Sequence, residues 1–402
     1  MFLILAPLGI ATAYGLVALW PTGELPESGI VNVGAQFRAA RIVSATADEC
    51  AGENEDRRPD GTIPGAVRCA LVVARVTEGA EAGLEVEVWS PPTVPVGELG
   101  EGTPIVLVNY PATETETEVW AWQDFSRTLP LGVLAGAYAI AVILVAGMRG
   151  LRSLLGLAVA FAVIGFFMLP ALLEGRNPGL VGLVGSAAIM FVVLYLAHGF
   201  SHRTTTALLG TLVGLALTAG LGAVAARMAH LDGITGQDTY QLALVTGHLR
   251  EGGLRGIFLA GVILAGLGVL NDVTITQASA VWELREADPS ASRRSLFSSG
   301  MRIGRDHIAS TVYTMAFAYA GAALPVLLLL EVWQRPLIPT ITSGVFAEEI
   351  ARTAVGSIGL VLAIPLTTII AVLVATAKPV RRRRHLEQQP GHAHGHAHAH
   401  GV

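Results

Sequence analysis

The sequence predicts an α-helical polytopic membrane protein of about eight transmembrane helices, with a small β-rich extracytoplasmic domain inserted between helices 1 and 2. Three observations carry this. Hydrophobic residues make up 52% of the 402 residues and charged residues only 14%, where a soluble globule has about a quarter of its residues charged. Eight apolar runs approach or exceed the roughly 20 residues needed to cross a bilayer core of about 30 Å. The charges are also segregated, since residues 21–128 hold 18 of the 31 carboxylates but only 7 of the 26 cationic side chains. That segment carries a net −11 in a chain whose total is −5.

The elements follow in order. Residues 1–20 read as an uncleaved N-terminal anchor, the alternative being a cleaved signal peptide, because the apolar run 2–20 is long for the core of a signal peptide and lacks the positive charge such a peptide carries at its start. In 21–128, the runs Val31 to Val43, Ala66 to Val76, Leu84 to Trp89 and Pro104 to Tyr110 are rich in strand-forming residues. Gly, Pro and acidic turns separate them at regular spacing, as in a small sandwich or barrel. Residues 48–61 read as an acidic loop. Cys50 and Cys69 are the only cysteines. On an oxidising side of the membrane they would form one disulfide closing a loop of about 20 residues, the alternative being two free buried thiols.

The membrane domain, 129–376, holds the runs 129–148, 154–173, 179–197, 205–228, 257–281, 308–331 and 350–376. Most of the glycines fall inside these runs, which points to close helix packing. Pro365 predicts a kink in the last run. Residues 377–402 form a cytosolic tail, first basic and then His-rich. With both termini cytosolic, the inner connections carry Arg149, Arg152, Arg203, Arg285, Arg293, Arg294, Arg302, Arg305, Lys378 and the run 381–384. The outer connections carry Arg176, Arg227, Arg250, Arg255, Arg335 and Arg352, so the positive-inside bias is about two to one.

The informative letters are polar residues deep in the spans, because each is costly there and tends to face a cavity or a partner. In the sixth run Asp272 is followed by Thr276, Ser279 and Glu283 at +4, +7 and +11, one narrow helix face. Counted from Ile257, Asp272 falls in the inner leaflet. Asn271 and Gln277 point elsewhere, towards neighbouring helices. In the seventh run Asp306, Ser310 and Tyr313 form a matching stripe, widened by Thr311 and Thr314. A short loop joins the two runs, so the stripes would face each other in an antiparallel hairpin. Arg302 and Arg305 stand where they can pair with Glu283, Asp306 or Asp272. The set reads either as a satisfied polar clasp or as a proton or cation site centred on Asp272.

The segment GLGVLNDVTITQASAVWEL (266–284), paired with SSGMRIGRDHIASTVYTMAFAYAGAALPVLLLL (298–330), resembles the YibE/F family of multi-spanning bacterial membrane proteins. Its motif region is the Gly-rich segment leading to Asp272, then Gly304, Arg305 and Asp306. The resemblance covers roughly 130–375 and implies a polytopic protein of the bacterial inner membrane, with no settled biochemical activity. A more local similarity joins Asn271, Asp272, Leu284 to Glu286, Ser310, Thr311 and Thr314 to the proton-carrying hairpin of SecF and the RND exporters. It implies a mechanism for the hairpin and no family.

Softer signals remain. His392, His394, His396, His398 and His400 alternate with small residues and offer a loose metal-binding tail, or simply a solvated one. His198 and His202 are one turn apart if a single helix carries both, and the loop 229–253, with Asp232, Asp238 and His248, is a candidate lid. Pro170 with Glu174, and Pro325 with Glu331, flank similar leucine runs, the trace of an internal repeat. No P-loop, HExxH helix or GxSxG elbow occurs. The leading expectation is therefore a secondary transporter or permease for an unknown small solute or ion, coupled to protons through Asp272. The alternative is a membrane scaffold or sensor whose outer domain binds an envelope protein. An intramembrane hydrolase using Asp272 with Asp306 is disfavoured, because Asp306 should lie nearer the membrane surface. No cofactor and no nucleic acid is expected, the bilayer is the obligate partner, and a homo-oligomer stays open.

Overall fold

The computed structural model describes residues 2–23, 34–58, 60–112, 117–233, 235, 237–246, 253–334 and 336–377. They divide into a sheet unit, residues 24–157 with 241–247, and a membrane unit, residues 1–23, 158–240 and 248–402.

The sheet unit is built on five antiparallel strands, β1 (Gln36–Cys50), β2 (Val67–Val76), β3 (Glu85–Trp89), β4 (Pro104–Tyr110) and β5 (Val119–Phe125). Their order is β3-β2-β1-β4-β5. Strict alternation drives it: in β2, Ala70, Val72, Ala74 and Val76 turn inward and are buried. With Ile42, Val88, Leu99, Ile105 and Leu107 they form the core, flanked by Trp120, Trp122 and Phe125. The long β1 pairs with β4 through its first half and with β2 through its second, around a register shift between Ile42 and Ser44. Edge strands β3 and β5 also touch each other. The sheet is thus curled towards a five-stranded barrel, the arrangement of OB-type domains, rather than split into a sandwich.

The disulfide forms between Cys50 and Cys69, tying the end of β1 to the start of β2. At the other end, Arg38 donates to Glu81 at 2.9 Å. This hydrogen bond holds the Glu81 carboxyl below the ordinary carboxylate range.

The next apolar stretch departs from expectation. Helix α2 (Thr128–Val163) carries both the second and third runs and is broken at Gly147, whose φ of 59° and ψ of −138° lie outside helical space. Gly150 backs onto the Val142 carbonyl, eight residues earlier, whereas residues so spaced in a straight helix are about 12 Å apart. A single glycine with positive φ therefore kinks the helix sharply where Arg149 and Arg152 suggest a loop. A π-turn (Ile164–Met168) and α3 (Leu169–Leu173) complete this element.

In the membrane unit, α1 (Phe2–Ala18) packs on α4 (Pro178–His198), where Gly15 accommodates Val184. The centre is α5 (His202–Met228), α7 (Gly253–Ala287) and α11 (Gly344–Ala377). Gly214 of α5 lies against Leu270 and Ala363, and Thr218 fills the space left by Gly266 and Gly359. Thr211 satisfies its hydroxyl on the Ala207 carbonyl at 3.0 Å and Thr368 on that of Ile364 at 2.7 Å, each within its own helix, whereas the buried Thr367 hydroxyl makes no hydrogen bond among the described residues. Thr211 and Thr274 also bond across the helices at 2.6 Å. The short α6 (Gln237–Thr246) follows α5 in the chain. Helix α8 (Arg293–Ala322) bends by 67° into α9 (Leu324–Trp333), and α10 (Leu337–Ile341) precedes α11. Pro325 in the first turn of α9 explains the break, since it cannot continue the hydrogen bonding of α8.

Among the described residues, five elements are long and apolar enough to cross a membrane, or six if the bent α8–α9 pair is one span. The sequence points to about eight. The difference lies in α1, a short helix of 17 residues, in the fusion of two runs at Gly147, and in the broken seventh run.

Two outcomes follow for the sheet unit. Replacing Cys50 and Cys69 by serine lowers its unfolding free energy by about 3 kcal/mol in a denaturant titration, the loop-closure value for such a bridge. Arg38→Gln lowers the thermal midpoint at neutral pH. Because the Glu81 pKa is lowered in the folded state, that contribution exists above the ordinary carboxylate pKa. The variant and wild-type midpoints should therefore converge as the pH falls through the lowered folded value.

Candidate functional site

Helices α7 and α8 are joined by a tight turn. Asp288 accepts hydrogen bonds from the Ser290 amide at 2.9 Å and hydroxyl at 2.6 Å, and Arg285 donates to the Ala291 carbonyl at 3.0 Å. The helices then run antiparallel in a register set by one buried side chain. Gln277 donates through Nε2 to the Gly300 carbonyl at 2.8 Å and to Thr368 Oγ1 on α11 at 2.7 Å. Gly304 is buried one turn further along. A Cβ there would lie 2.6 Å from Ile364 and 3.1 Å from Gln277 Oε1. Glycines at 300 and 304 thus bring the backbone of α8 against α7 and α11, the small-residue device of membrane helix pairs.

The same register fixes relative depth. Helix α11 is free of charge between Arg352 and Lys378, a stretch centred on Pro365. Thr368 contacts Gln277 and Ile364 lies against Gly304, so both positions are within a turn of that centre. Helix α7 runs parallel to α11, with Val262 beside Val355 and Gln277 beside Thr368. Asp272 therefore lies level with the middle of the charge-free stretch. His307 of α8 stands opposite, with Nε2 3.9 Å from Asp272 Oδ2. Asp306, next to His307, is at the same level and not nearer the surface, because α8 begins at Arg293, well before the apolar run at 308.

The predicted stripes are each co-facial. Asp272, Thr276 and Glu283 are exposed on α7, with Ser279 half-buried; Arg302, Arg305, Asp306, Ser310 and Tyr313 are exposed on α8. The Asp272 side chain retains 72% of its surface. The expected pairings do not form. Glu283 binds Arg203 of α5 at 2.9 Å, and Arg302 donates to Ser299 at 3.2 Å. Among the described residues, neither Arg305 nor Asp306 has an ion-pair partner. Nε2 of His307 and Oδ1 of Asn271 are shielded and make no hydrogen bond among the described residues.

Three contributions escape sequence reasoning. Arg203 is 80 residues from its partner Glu283, His307 stands opposite Asp272 without belonging to either predicted stripe, and Gln277 is the actual clasp. The spacing of Gly300 and Gly304 is the one signal that marks the contact. The histidine pair is not on one helix: Gly199, with φ 73°, ends α4, and Ser201 caps α5. His248 and the histidines from 392 to 400 lie outside the described residues, among which no cluster of three potential metal ligands occurs. At the far end of the bundle Glu348 is buried and accepts from the Gly233 amide and the Thr235 hydroxyl, both at 2.9 Å. It ties the segment after α5 to α11.

The family model described as YibE/F-like protein matches residues 134–377. The chain belongs to the YibE/F-like family. No curated protein and no solved structure matches it. The match takes in α2 beyond its first turns and every later helix, including the whole α7–α8 hairpin, and leaves out the five strands. This YibE/F-like protein is an integral membrane protein.

Substituting at the helix contact should be costly. Gly304→Ala is expected to lower stability by about 1–3 kcal/mol through overpacking against Ile364. Gln277→Leu is expected to cost about 0.6–1.7 kcal/mol, the range for hydrogen bonds between membrane helices. Unfolding of the detergent-solubilised protein measures both.

Proposed function

We propose that this YibE/F-like protein is a secondary transporter or permease for a small solute or ion, coupled to protons through Asp272. The observation that supports this reading most is the division of labour on α7. The residue that holds the hairpin closed is Gln277, buried and bonded on two sides. Asp272 plays no part in that closure. It is exposed, level with the centre of the charge-free stretch of α11, and 3.9 Å from a histidine nitrogen that has no hydrogen bond among the described residues. A carboxylate at that depth is costly, and such groups mark proton and ion pathways.

A displacement of about 1 Å brings Asp272 and His307 within hydrogen-bonding distance. The pair then offers a proton two sites of different chemistry, one anionic and one neutral when empty. Thr276, Ser279, Glu283, Arg302, Arg305, Asp306, Ser310 and Tyr313 line the two faces that lead away from it. The topology that suits this function has both termini in the cytosol of a bacterial cell and the sheet unit outside the inner membrane. A second reading, a scaffold or sensor, draws on the sheet unit's separate core and disulfide.

Reconstitution with a pH-sensitive dye in the lumen tests the proposal. Wild type should move protons when the right solute or ion gradient is imposed, Asp272→Asn should abolish the flux, and His307→Gln should shift its pH dependence. If wild type and Asp272→Asn behave alike across a broad panel of ions and small solutes, the transport reading fails.

A further inference from the structure

Helix α8 has two faces. One, through Leu296, Gly300, Gly304 and Met315, is buried against α7 and α11. The other is exposed, and at the level of Asp272 it carries Arg302, Arg305 and Asp306. Beyond them it continues with Ala309, Tyr313, Ala316 and Phe317, small and aromatic residues on the same exposed side. A face bearing three charged side chains level with the centre of the charge-free stretch of α11, with the exposed Asp272 of α7 at the same level, is strongly disfavoured against lipid tails. Something polar must cover it.

We infer that this face is a two-fold interface between two copies of the chain. The sign pattern identifies the occupant. Arg302 and Arg305 contribute two positive charges and Asp306 one negative, with the Asp272 carboxylate of α7 at the same level; among the described residues Arg302, Arg305 and Asp306 have no ion-pair partner, and Asp272 has only His307, 3.9 Å away. Arg302 and Asp306 are spaced i and i+4 on one helix, yet they do not pair. An unlike partner would need only to carry the opposite of whatever this face carries. A two-fold contact requires a patch that complements itself, with both signs on it in balance. When two copies meet, the arginines of one face the aspartates of the other, and small Ala309 and Ala316 let the two α8 helices approach closely.

This inference does not rest on proton transport, and a monomer that carries flux would overturn it while leaving transport intact. The experiment uses the full chain in nanodiscs. Its mass should correspond to two copies. Ala309→Cys and Ala316→Cys should each give an oxidative cross-link at twice the chain mass, whereas Val224→Cys, exposed on α5, should not. Arg305→Gln and Asp306→Asn should each lower the dimer fraction by about tenfold at fixed protein-to-lipid ratio. A copy carrying Arg302→Asp with Arg305→Asp should be monomeric alone and should recover dimerisation with a differently tagged copy carrying Asp272→Arg with Asp306→Arg. A monomeric wild type, co-purification of a different protein on this face, cross-linking at Val224 alone, or neutral variants that dimerise normally would each sink the interface.

Discussion

The membrane unit depends on the close approach of α5, α7 and α11. Between helices in lipid there is no hydrophobic gain from association, since the tails are as apolar as leucine, and contact must come from packing and hydrogen bonds. The chain supplies both with small residues. Glycines 214, 266 and 359 let Thr218, Leu270 and Ala363 lie against neighbouring backbone. The threonines that fill this space return their protons to carbonyls four residues back, so the polar atoms are satisfied inside the helix that carries them. Once these contacts are made, the relative heights of the three helices are no longer adjustable. Everything inferred about the depth of Asp272 follows from that lock.

Helix α7 shows how one element separates stability from chemistry. Gln277 lies five residues beyond Asp272, which turns it about 140° around the helix. One side chain is buried between α8 and α11, and the other stands in the open. Periodicity alone separates the two faces correctly, and the run of Asp272, Thr276 and Glu283 on the exposed side follows from it. What periodicity does not provide is the identity of the opposing residue. Glu283 turns to Arg203 rather than to Arg302 or Arg305, because α5 is locked against α7 by the glycine contacts while the register that sets Gln277 against Gly300 leaves both arginines more than a turn away.

The same limit explains what was and was not legible elsewhere. Apolar runs, strand alternation and the two cysteines announce the membrane helices, the sheet and the disulfide, because each is a local signal. The curl of β3 towards β5 is not local, so a sandwich and a barrel look alike in the sequence. Gly147 reads as one more small residue in an apolar run, although its positive-φ backbone kinks the helix. Helix α8 begins at Arg293, where serines and arginines resemble a basic loop. Their helical state comes from Gly300, Gly304 and Leu296 docking on α7 and α11, which is tertiary stabilisation that propensity does not record.

Docking of α8 through its glycines has a consequence for the charged face on its other side. Gly300 and Gly304 hold the axis of α8 against Gln277 and Ile364, and His307 is less than one turn beyond Gly304. A wider spacing would move His307 outward with the helix and open its 3.9 Å approach to Asp272, while the α5, α7 and α11 core kept Asp272 in place. The buried contact and the exposed pair are therefore mechanically one unit, even though they share no side chain. That unit also carries Arg305 and Asp306, whose height relative to Asp272 is set by the same two glycines. A change in the α7–α8 spacing would alter the proton-site geometry and the pattern of charge presented on the open face together.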